Sequence, residues 1–185
     1  TTINTTKPVG KTTVTTKPVG KTTVTTKPVD KTTVTTKPVV TTPKPTTVAL
    51  TEPNIPGQFN TNFENEVVRL VNIERAKEGL PALKPNESVR QSARIRAKEI
   101  VLDMSHYRPD GSPCSTAVTI PCAYVGECCA GGQRTPAEVV QSWMNSPPHR
   151  VHIMGGYHEV GVGCFIAQNV IPNTYWSILL IEHFE

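Results

Sequence analysis

A ten-residue repeat at the start of the chain restricts any folded domain to the residues that follow it. The segment Thr-Thr-Lys-Pro-Val recurs at residues 5–9, 15–19, 25–29 and 35–39. Each proline removes a backbone donor and disfavours helix just before it. No aromatic residue precedes Phe59, so the repeats cannot bury enough apolar surface to offset their chain entropy. We therefore expect residues 1–57 to form a disordered linker and residues 58–185 to form the folded domain.

The basic residues of the chain are concentrated in the repeats, and the rest of the chain is slightly acidic. Residues 1–49 hold eight lysines and one acidic residue, whereas the remainder holds 11 basic and 14 acidic residues. The formal net charge of +4 therefore arises in the repeats, and it does not indicate a nucleic-acid groove on the domain. An inert spacer is the favoured interpretation of the repeats, although a lysine in each of them also suits an anionic surface polymer, and threonine-rich sequence spaced by prolines is typical of glycosylated stalks. No stretch approaches the roughly 20 continuous apolar residues of a membrane span, so we expect no transmembrane segment.

Hydrophobic periodicity in the second part of the chain predicts helices first and strands last, which indicates an α+β fold. Thr61 with Glu64 is expected to cap the first helix, and Thr135 with Glu138 forms a capping box for the third. Strand propensity and alternation identify two strands near the end of the chain. The predicted helices span residues 61–77, 88–104 and 135–143, and the predicted strands span residues 159–166 and 175–184.

The segment between the second and third predicted helices, residues 107–134, is expected to be an irregular insertion. It contains four of the five cysteines, so we expect an exported protein whose insertion is held by disulfides. Adjacent Cys128 and Cys129 should pair elsewhere, and the favoured bridge joins Cys114 or Cys122 to one of them. The absence of a Cys-x-x-Cys pair disfavours a cysteine-rich zinc site. A cysteine protease is also disfavoured, because no nucleophile motif surrounds either adjacent cysteine.

Four ionisable residues lie at the edges of predicted elements: His106, Glu127, His149 and Glu159. Two imidazoles and two carboxylates in one cleft could hold zinc or another divalent cation through His106 and His149. The carboxylates would then orient the rings or a water molecule. The same groups could serve as general base and acid. Side chains of these types at element ends also cap helices and tether loops, and the residues alone leave that alternative open.

Five motifs follow one another along the domain: VNIERAKEGL at residues 71–80, SHYRPDGS at 105–112, GE at 126–127, WMNSPPHR at 143–150 and EVGVG at 159–163. In this order they resemble the CAP superfamily, which includes cysteine-rich secretory proteins, insect antigen 5 and plant pathogenesis-related proteins. The resemblance covers about residues 60–185, and the forms His-Tyr-Arg-Pro-Asp-Gly-Ser and Ser-Pro-Pro-His-Arg are similar to the bacterial extracellular branch. It implies a three-layer α-β-α sandwich with a cleft of two histidines and two acidic residues that binds a divalent cation in some members.

Motif by motif, the resemblance assigns residues of this chain to the family's cleft. The assigned residues are His106, Glu127 and His149, with Glu159 as the fourth and Glu138 as its competitor. The chain departs from the family at two positions, because Cys128 follows Gly126-Glu127 where the family has Asn, and His152 replaces a usual Asn. A hydrogen bond that fixes the family's loop is therefore in doubt here. His152 and His158 are expected to be exposed loop residues.

Together these features predict a secreted or cell-surface binding module rather than an enzyme, displayed on a stalk that spans a wall or surface. The prediction depends on a His and Glu set without a nucleophile or oxyanion motif. The expected partner is an extracellular ligand such as a cell-wall polymer, a host protein or a lipid. One alternative is a metal-dependent hydrolase of peptide or cell-wall material with Glu127 or Glu159 as base. A further alternative is lipid or sterol carriage, which the resemblance suggests.

Overall fold

The computed structural model describes residues 53–184. The disorder expected for residues 1–57 stays a prediction for residues 1–52, which lie outside this range, whereas Gly57 belongs to a strand. The helices are Thr61–Lys77 (α1), Glu87–Leu102 (α2), Pro136–Met144 (α3) and Pro147–Ile153 (α4), with a short 3-10 helix at Cys114–Ala117. The strands are Gly57–Phe59 (β1), Lys84–Pro85 (β2), Tyr124–Gly131 (β3), Glu159–Ala167 (β4) and Thr174–Glu182 (β5). No helix in this range is long and apolar enough to cross a membrane.

The strands form one mostly antiparallel sheet in the order β1, β4, β5, β3, and the short β2 pairs with β4 in parallel. β5 lies between β4 and β3, and eight of its nine residues are buried. This burial explains its nearly continuous apolar sequence, because a strand covered on both faces has no polar side. β3 lies at the edge of the sheet, and it carries Glu127 in register with Leu179 of β5.

Helices cover both faces of the sheet and give three layers. α1, α3 and α4 lie on one face, where Val71, Trp143 and Ile153 pack with Trp176 and Ile178 of β5. α2 covers the other face through a stripe of small and branched side chains that packs against alternate residues of β4 and β5. The predicted α+β class and the three-layer α-β-α arrangement are confirmed.

The ends of the helices follow local capping chemistry, with two differences from the prediction. Asn60, rather than Thr61, caps α1 by accepting a hydrogen bond from the Phe63 amide at 3.1 Å. Glu64 is buried and instead binds Arg94 at 2.7 Å. Thr135 caps α3 as predicted by accepting from the Glu138 amide at 3.2 Å, but the capping box is incomplete, because the Glu138 carboxylate accepts from the Arg134 amide and not from that of Thr135.

The insertion predicted for residues 107–134 was wrong over its second half, because β3 occupies Tyr124–Gly131. Its two glycines, two cysteines and one glutamate have little strand propensity, and pairing along the length of β5 determines its conformation. α4 was not predicted, because Pro147 and Pro148 are residues that usually follow the end of a helix. They occupy the first positions of a new helix, where the missing amide hydrogen costs little.

Arg75 of α1 binds the carboxyl-terminal end of α4. It is buried, and its guanidinium donates to the carbonyl oxygens of Ile153 and Gly155, both at 2.8 Å. These carbonyls lie at the carboxyl end of α4, where helix carbonyls have no partner within the helix. The position of His149 within α4 therefore depends on a contact made by a helix about 75 residues earlier in the chain.

Two glycines of β4 allow α2 to lie directly on the sheet. A Cβ atom at Gly161 would overlap the backbone of Val89 and Arg90, and one at Gly163 would lie 2.7 Å from the Arg94 nitrogen. Such overlap forces backbone movement, and overpacking of this kind is destabilising.

We expect Gly161→Ala to lower the free energy of unfolding by about 1–3 kcal/mol, because the added methyl group must displace α2. Urea denaturation followed by circular dichroism measures the change. Gly156→Ala is the matched control, since a Cβ atom there meets nothing within 4 Å. Equal stability of the two variants would contradict the proposed packing constraint.

Candidate functional site

Glu127 is the centre of a buried polar cluster on the α2 face of β3. Its side chain is almost wholly inaccessible, and it accepts a hydrogen bond from Arg96 Nε at 2.8 Å. Ser177 of β5 lies 3.4 Å from the same carboxylate. Burial alone would raise the pKa of Glu127, but the Arg96 guanidinium and His106 hold it below its usual value. Glu127 is therefore a buried carboxylate that stays ionised.

Arg96 links Glu127 to the segment that follows α2. Its guanidinium is fully buried and also binds Glu99 Oε2 and the Ser105 carbonyl oxygen, each at 2.6 Å. Glu99 in turn pairs with Arg108 at 2.8 Å. Burial opposes the charge on Arg96, but the two carboxylates outweigh it and raise its pKa. This network fixes the backbone that carries His106.

His106 lies at the surface with one nitrogen directed inward. Its Nδ1 is 2.8 Å from Glu127 Oε2, while the side chain as a whole is 58% exposed. When Nδ1 carries the proton and donates to the carboxylate, Nε2 keeps its lone pair. A carboxylate that orients a histidine in this way is the usual partner of a metal-binding imidazole.

Cys114 of the 3-10 helix completes a group of three potential ligands. One donor atom each from His106, Cys114 and Glu127 lies within 4.8 Å of the others. Nitrogen, sulfur and carboxylate oxygen are the donors that zinc accepts in proteins, so the set fits this cation. Burial and the charge of Glu127 raise the pKa of Cys114 to about 11. A bound cation would favour the thiolate over the thiol.

His149 of α4 is half-buried and belongs to the same neighbourhood. Burial lowers its pKa, and the nearby imidazoles of His106 and His152 lower it further. His149 is therefore neutral at pH 7 and able to donate a lone pair. Its backbone carbonyl accepts a hydrogen bond from the Cys128 thiol at 3.6 Å. His152 is partly buried rather than exposed, with Nδ1 3.3 Å from the Tyr157 hydroxyl.

Glu159 makes a different set of contacts. Its carboxylate accepts from Asn86 Nδ2 at 2.6 Å and lies 3.4 Å from His183 Nε2. It lines a cavity of about 570 Å³ whose walls also include Met154 and Tyr157. Asn86 is the N-cap of α2, so Glu159 orients that cap.

Glu138, the competing fourth residue, is exposed and accepts a hydrogen bond from the Arg134 amide at 2.8 Å. This contact belongs to the start of α3. Of the sequence candidates, the structure thus joins His106 directly to Glu127 and brings His149 within electrostatic range of His106.

Sequence reasoning missed Arg96, Ser177 and the ligand capacity of Cys114. A signal existed for Arg96, because it lies three residues after Ala93 and four before Ile100, on the apolar face of α2. A charged residue at core spacing indicates a buried partner of opposite charge. Cys114 and Ser177 gave no such signal, since their roles depend on which segments fold next to Glu127.

The fold is an α-β-α sandwich, with helices on both faces of a mostly antiparallel sheet. A cluster of histidine and glutamate lies at its edge strand β3 and reaches the surface. The sequence model of the cysteine-rich secretory protein family (CAP) matches residues 68–177. This match covers more than half of the chain, and the protein belongs to this family.

One curated protein is similar to part of the chain. The uncharacterized protein YkwD of Bacillus subtilis is 38% identical over 107 residues, which are 55% of this chain and 42% of that protein. The chain therefore spans less than half the length of this curated relative.

Solved structures show the same fold at lower identity. An extracellular protein containing an SCP domain from Bacillus anthracis is 20% identical, with a TM-score of 0.57 over 66% of this chain and 41% of its own. An outer surface protein of Borrelia burgdorferi is 17% identical, with a TM-score of 0.61 over 70% of this chain and 100% of its own. A cysteine-rich secretory protein from Staphylococcus aureus is 21% identical, with a TM-score of 0.54 over 66% and 39%.

We expect Arg96→Met to lower the free energy of unfolding by about 3–5 kcal/mol, because it leaves the buried Glu127 carboxylate without its guanidinium partner. Thermal and urea denaturation measure this change. The matched control is Arg69→Met, which breaks an exposed pair with Glu66 and should leave stability unchanged. A loss no larger than that of the control would contradict the role given to Arg96.

Stability should also depend on pH through Glu127. Because its folded-state pKa lies below the usual 4.5, the contribution of Glu127 is present above that pH and is lost as the pH falls through the folded-state pKa. The difference in unfolding free energy between the native chain and Glu127→Gln should therefore shrink as the pH falls from about 6 to about 3. Denaturation in metal-free buffer across this range provides the test, and a constant difference would refute the depressed pKa.

Proposed function

We propose that this chain is a secreted or surface-displayed CAP module that holds a divalent cation, zinc being the best fit, between His106, Cys114 and Glu127. The observation that supports this most strongly is the convergence of nitrogen, sulfur and oxygen donors within 4.8 Å from three separate segments. The location is supported by the Bacillus anthracis and Borrelia proteins of the same fold, which are described as extracellular and outer surface proteins.

The surrounding residues suit a cation site. Arg96 offsets the charge of Glu127 within the protein, and Glu127 orients His106 through Nδ1. His149, the second imidazole that the sequence indicates, is neutral at pH 7 and interacts with His106, so it is the candidate for a further coordination position. Glu127 thereby serves either as a ligand or as the group that aligns one.

A binding role is favoured over covalent catalysis by the state of the thiols. Burial raises the pKa of Cys114, Cys128, Cys129 and Cys164, and also that of the more accessible Cys122. A thiol with a raised pKa is a poor nucleophile at neutral pH. The lysine-bearing repeats would present the domain to an anionic partner such as a cell-wall polymer.

A second candidate function is metal-dependent hydrolysis of peptide or cell-wall material. It is favoured by the exposure of His106, because an accessible imidazole oriented by a buried carboxylate is the arrangement of a general base. A bound cation would supply Lewis-acid chemistry at this site. Zinc-dependent hydrolysis of peptide or peptidoglycan pools that disappears in His106→Ala would establish this function in place of the binding module.

Isothermal titration of the reduced full chain with zinc tests the site. We expect His106→Ala and Cys114→Ser each to weaken zinc binding by about tenfold or more, because each removes one donor. Glu159→Gln and His183→Ala are controls that should bind zinc as the native chain does, since these two residues contact each other and not His106, Cys114 or Glu127. Unchanged zinc affinity in His106→Ala would overturn the proposal. A loss of zinc affinity in Glu159→Gln would indicate that the cation binds in the cavity lined by Glu159 instead.

A further inference from the structure

One buried arginine, Arg75, has no carboxylate partner among residues 53–184. Its side chain is 1% exposed, and its Nε and Nη1 donate to the carbonyl oxygens of Pro81, Ile153 and Gly155. Nη2 makes no hydrogen bond within the same range. Arg96, which is equally buried, pairs with two carboxylates. An arginine is rarely buried without an anion, and the carbonyl end of a helix supplies only about half a negative charge. The charge of Arg75 is therefore compensated only in part.

Arg75 lines the cavity of about 570 Å³ that Glu159 also lines. This volume is typical of small-molecule sites, which span about 300–1,000 Å³. The imidazoles of His158 and His183 form part of the wall and stack with their centroids 5.8 Å apart. Further walls are apolar or aromatic and include Leu80, Pro81, Met154 and Tyr157. The cavity therefore offers flat and apolar surfaces beside a buried guanidinium.

The charged residues of the cavity favour one negative charge on its occupant. Lys84 lines the cavity, and no acidic residue in the described range forms a salt bridge with it. The one acidic residue in the described wall is Glu159, which accepts from Asn86 at 2.6 Å and lies 3.4 Å from His183. When both imidazoles are neutral, Arg75 and Lys84 against Glu159 leave a net charge of +1. A monocarboxylate matches this charge, whereas a phosphate dianion exceeds it.

We propose that this cavity binds a small aromatic monocarboxylate. The carboxylate accepts a hydrogen bond from Arg75 Nη2 and is attracted by the Lys84 ammonium group, while the aromatic ring packs against Met154 and Tyr157. Hydrogen bonds between a guanidinium and a carboxylate are charge-assisted, and a thioether makes favourable contacts with aromatic rings. None of the three proposed cation ligands is among the described residues that line the cavity, so this site is independent of the proposed cation site.

The experiment titrates the full native chain, with ¹³C-labelled methionine methyl groups, in metal-free buffer. The chain has three methionines, and each reports on a different place. Met154 lines the cavity, Met144 lies in a groove between α1 and α3, and Met104 is half-exposed after the end of α2. Naphthaleneacetate is the probe, and naphthaleneacetamide has nearly the same shape without the charge. The signal of Met154 is identified by its absence from the spectrum of Met154→Leu.

We expect the ring current of the bound acid to shift the Met154 signal and to leave the other two unchanged. The amide should bind about tenfold more weakly, because it lacks the charge that strengthens the hydrogen bond to Arg75. Lys84→Gln should weaken binding of the acid by about twofold to fivefold, as expected for a partly exposed charge pair. Lys77→Gln is the matched control, since Lys77 pairs with Glu74 outside the cavity.

Equal affinity for the acid and the amide would overturn the inference, as would a shift of the Met144 or Met104 signal in place of that of Met154. The same acid affinity in Lys84→Gln and Lys77→Gln would also overturn it. Because the titration of the native chain distinguishes acid from amide and locates the probe, the test does not depend on whether a variant folds. Because no metal is present, its outcome is separate from that of the zinc titration.

Discussion

The buried pair of Arg96 and Glu127 is the interaction on which the site depends. Neither charge could remain in the interior alone, since the desolvation of an unpaired buried ion costs on the order of several kcal/mol. Their pairing joins α2 to an edge strand of the sheet, and the remaining donors of Arg96 hold the Ser105 carbonyl and Glu99. Because that backbone leads directly into His106, the ion pair also determines where the imidazole lies.

The edge position of β3 gives this cluster access to solvent. An inner strand such as β5 is covered on both faces and bounded by neighbours on both sides. Glu127 lies on a strand with one open side, so a surface histidine can reach its carboxylate while Arg96 approaches from the interior. The same opening lets the 3-10 helix bring Cys114 to the carboxylate.

Several elements were predictable because their signals are local. The spacing of apolar residues identified α1 and α2, and the Thr135 and Glu138 pattern located the start of α3 within one residue. Among the site residues, the motifs named His106 and Glu127 as candidates, and their contact at 2.8 Å is a feature of the tertiary structure. β3 and α4 were not predictable in this way, because β3 forms through pairing with β5 and α4 depends on contacts from Arg75.

The sequence by itself determined the fold class and the compositional division between repeats and domain, because both depend on composition and periodicity along the chain. It also supplied the ionisable residues from which a site could be built. Only the tertiary structure decided which of them meet, placing Cys114 beside Glu127 and Glu159 beside Asn86 and His183. The physical reason is that a site of this kind consists of distances between segments far apart in the chain, and those distances follow from sheet register and helix packing.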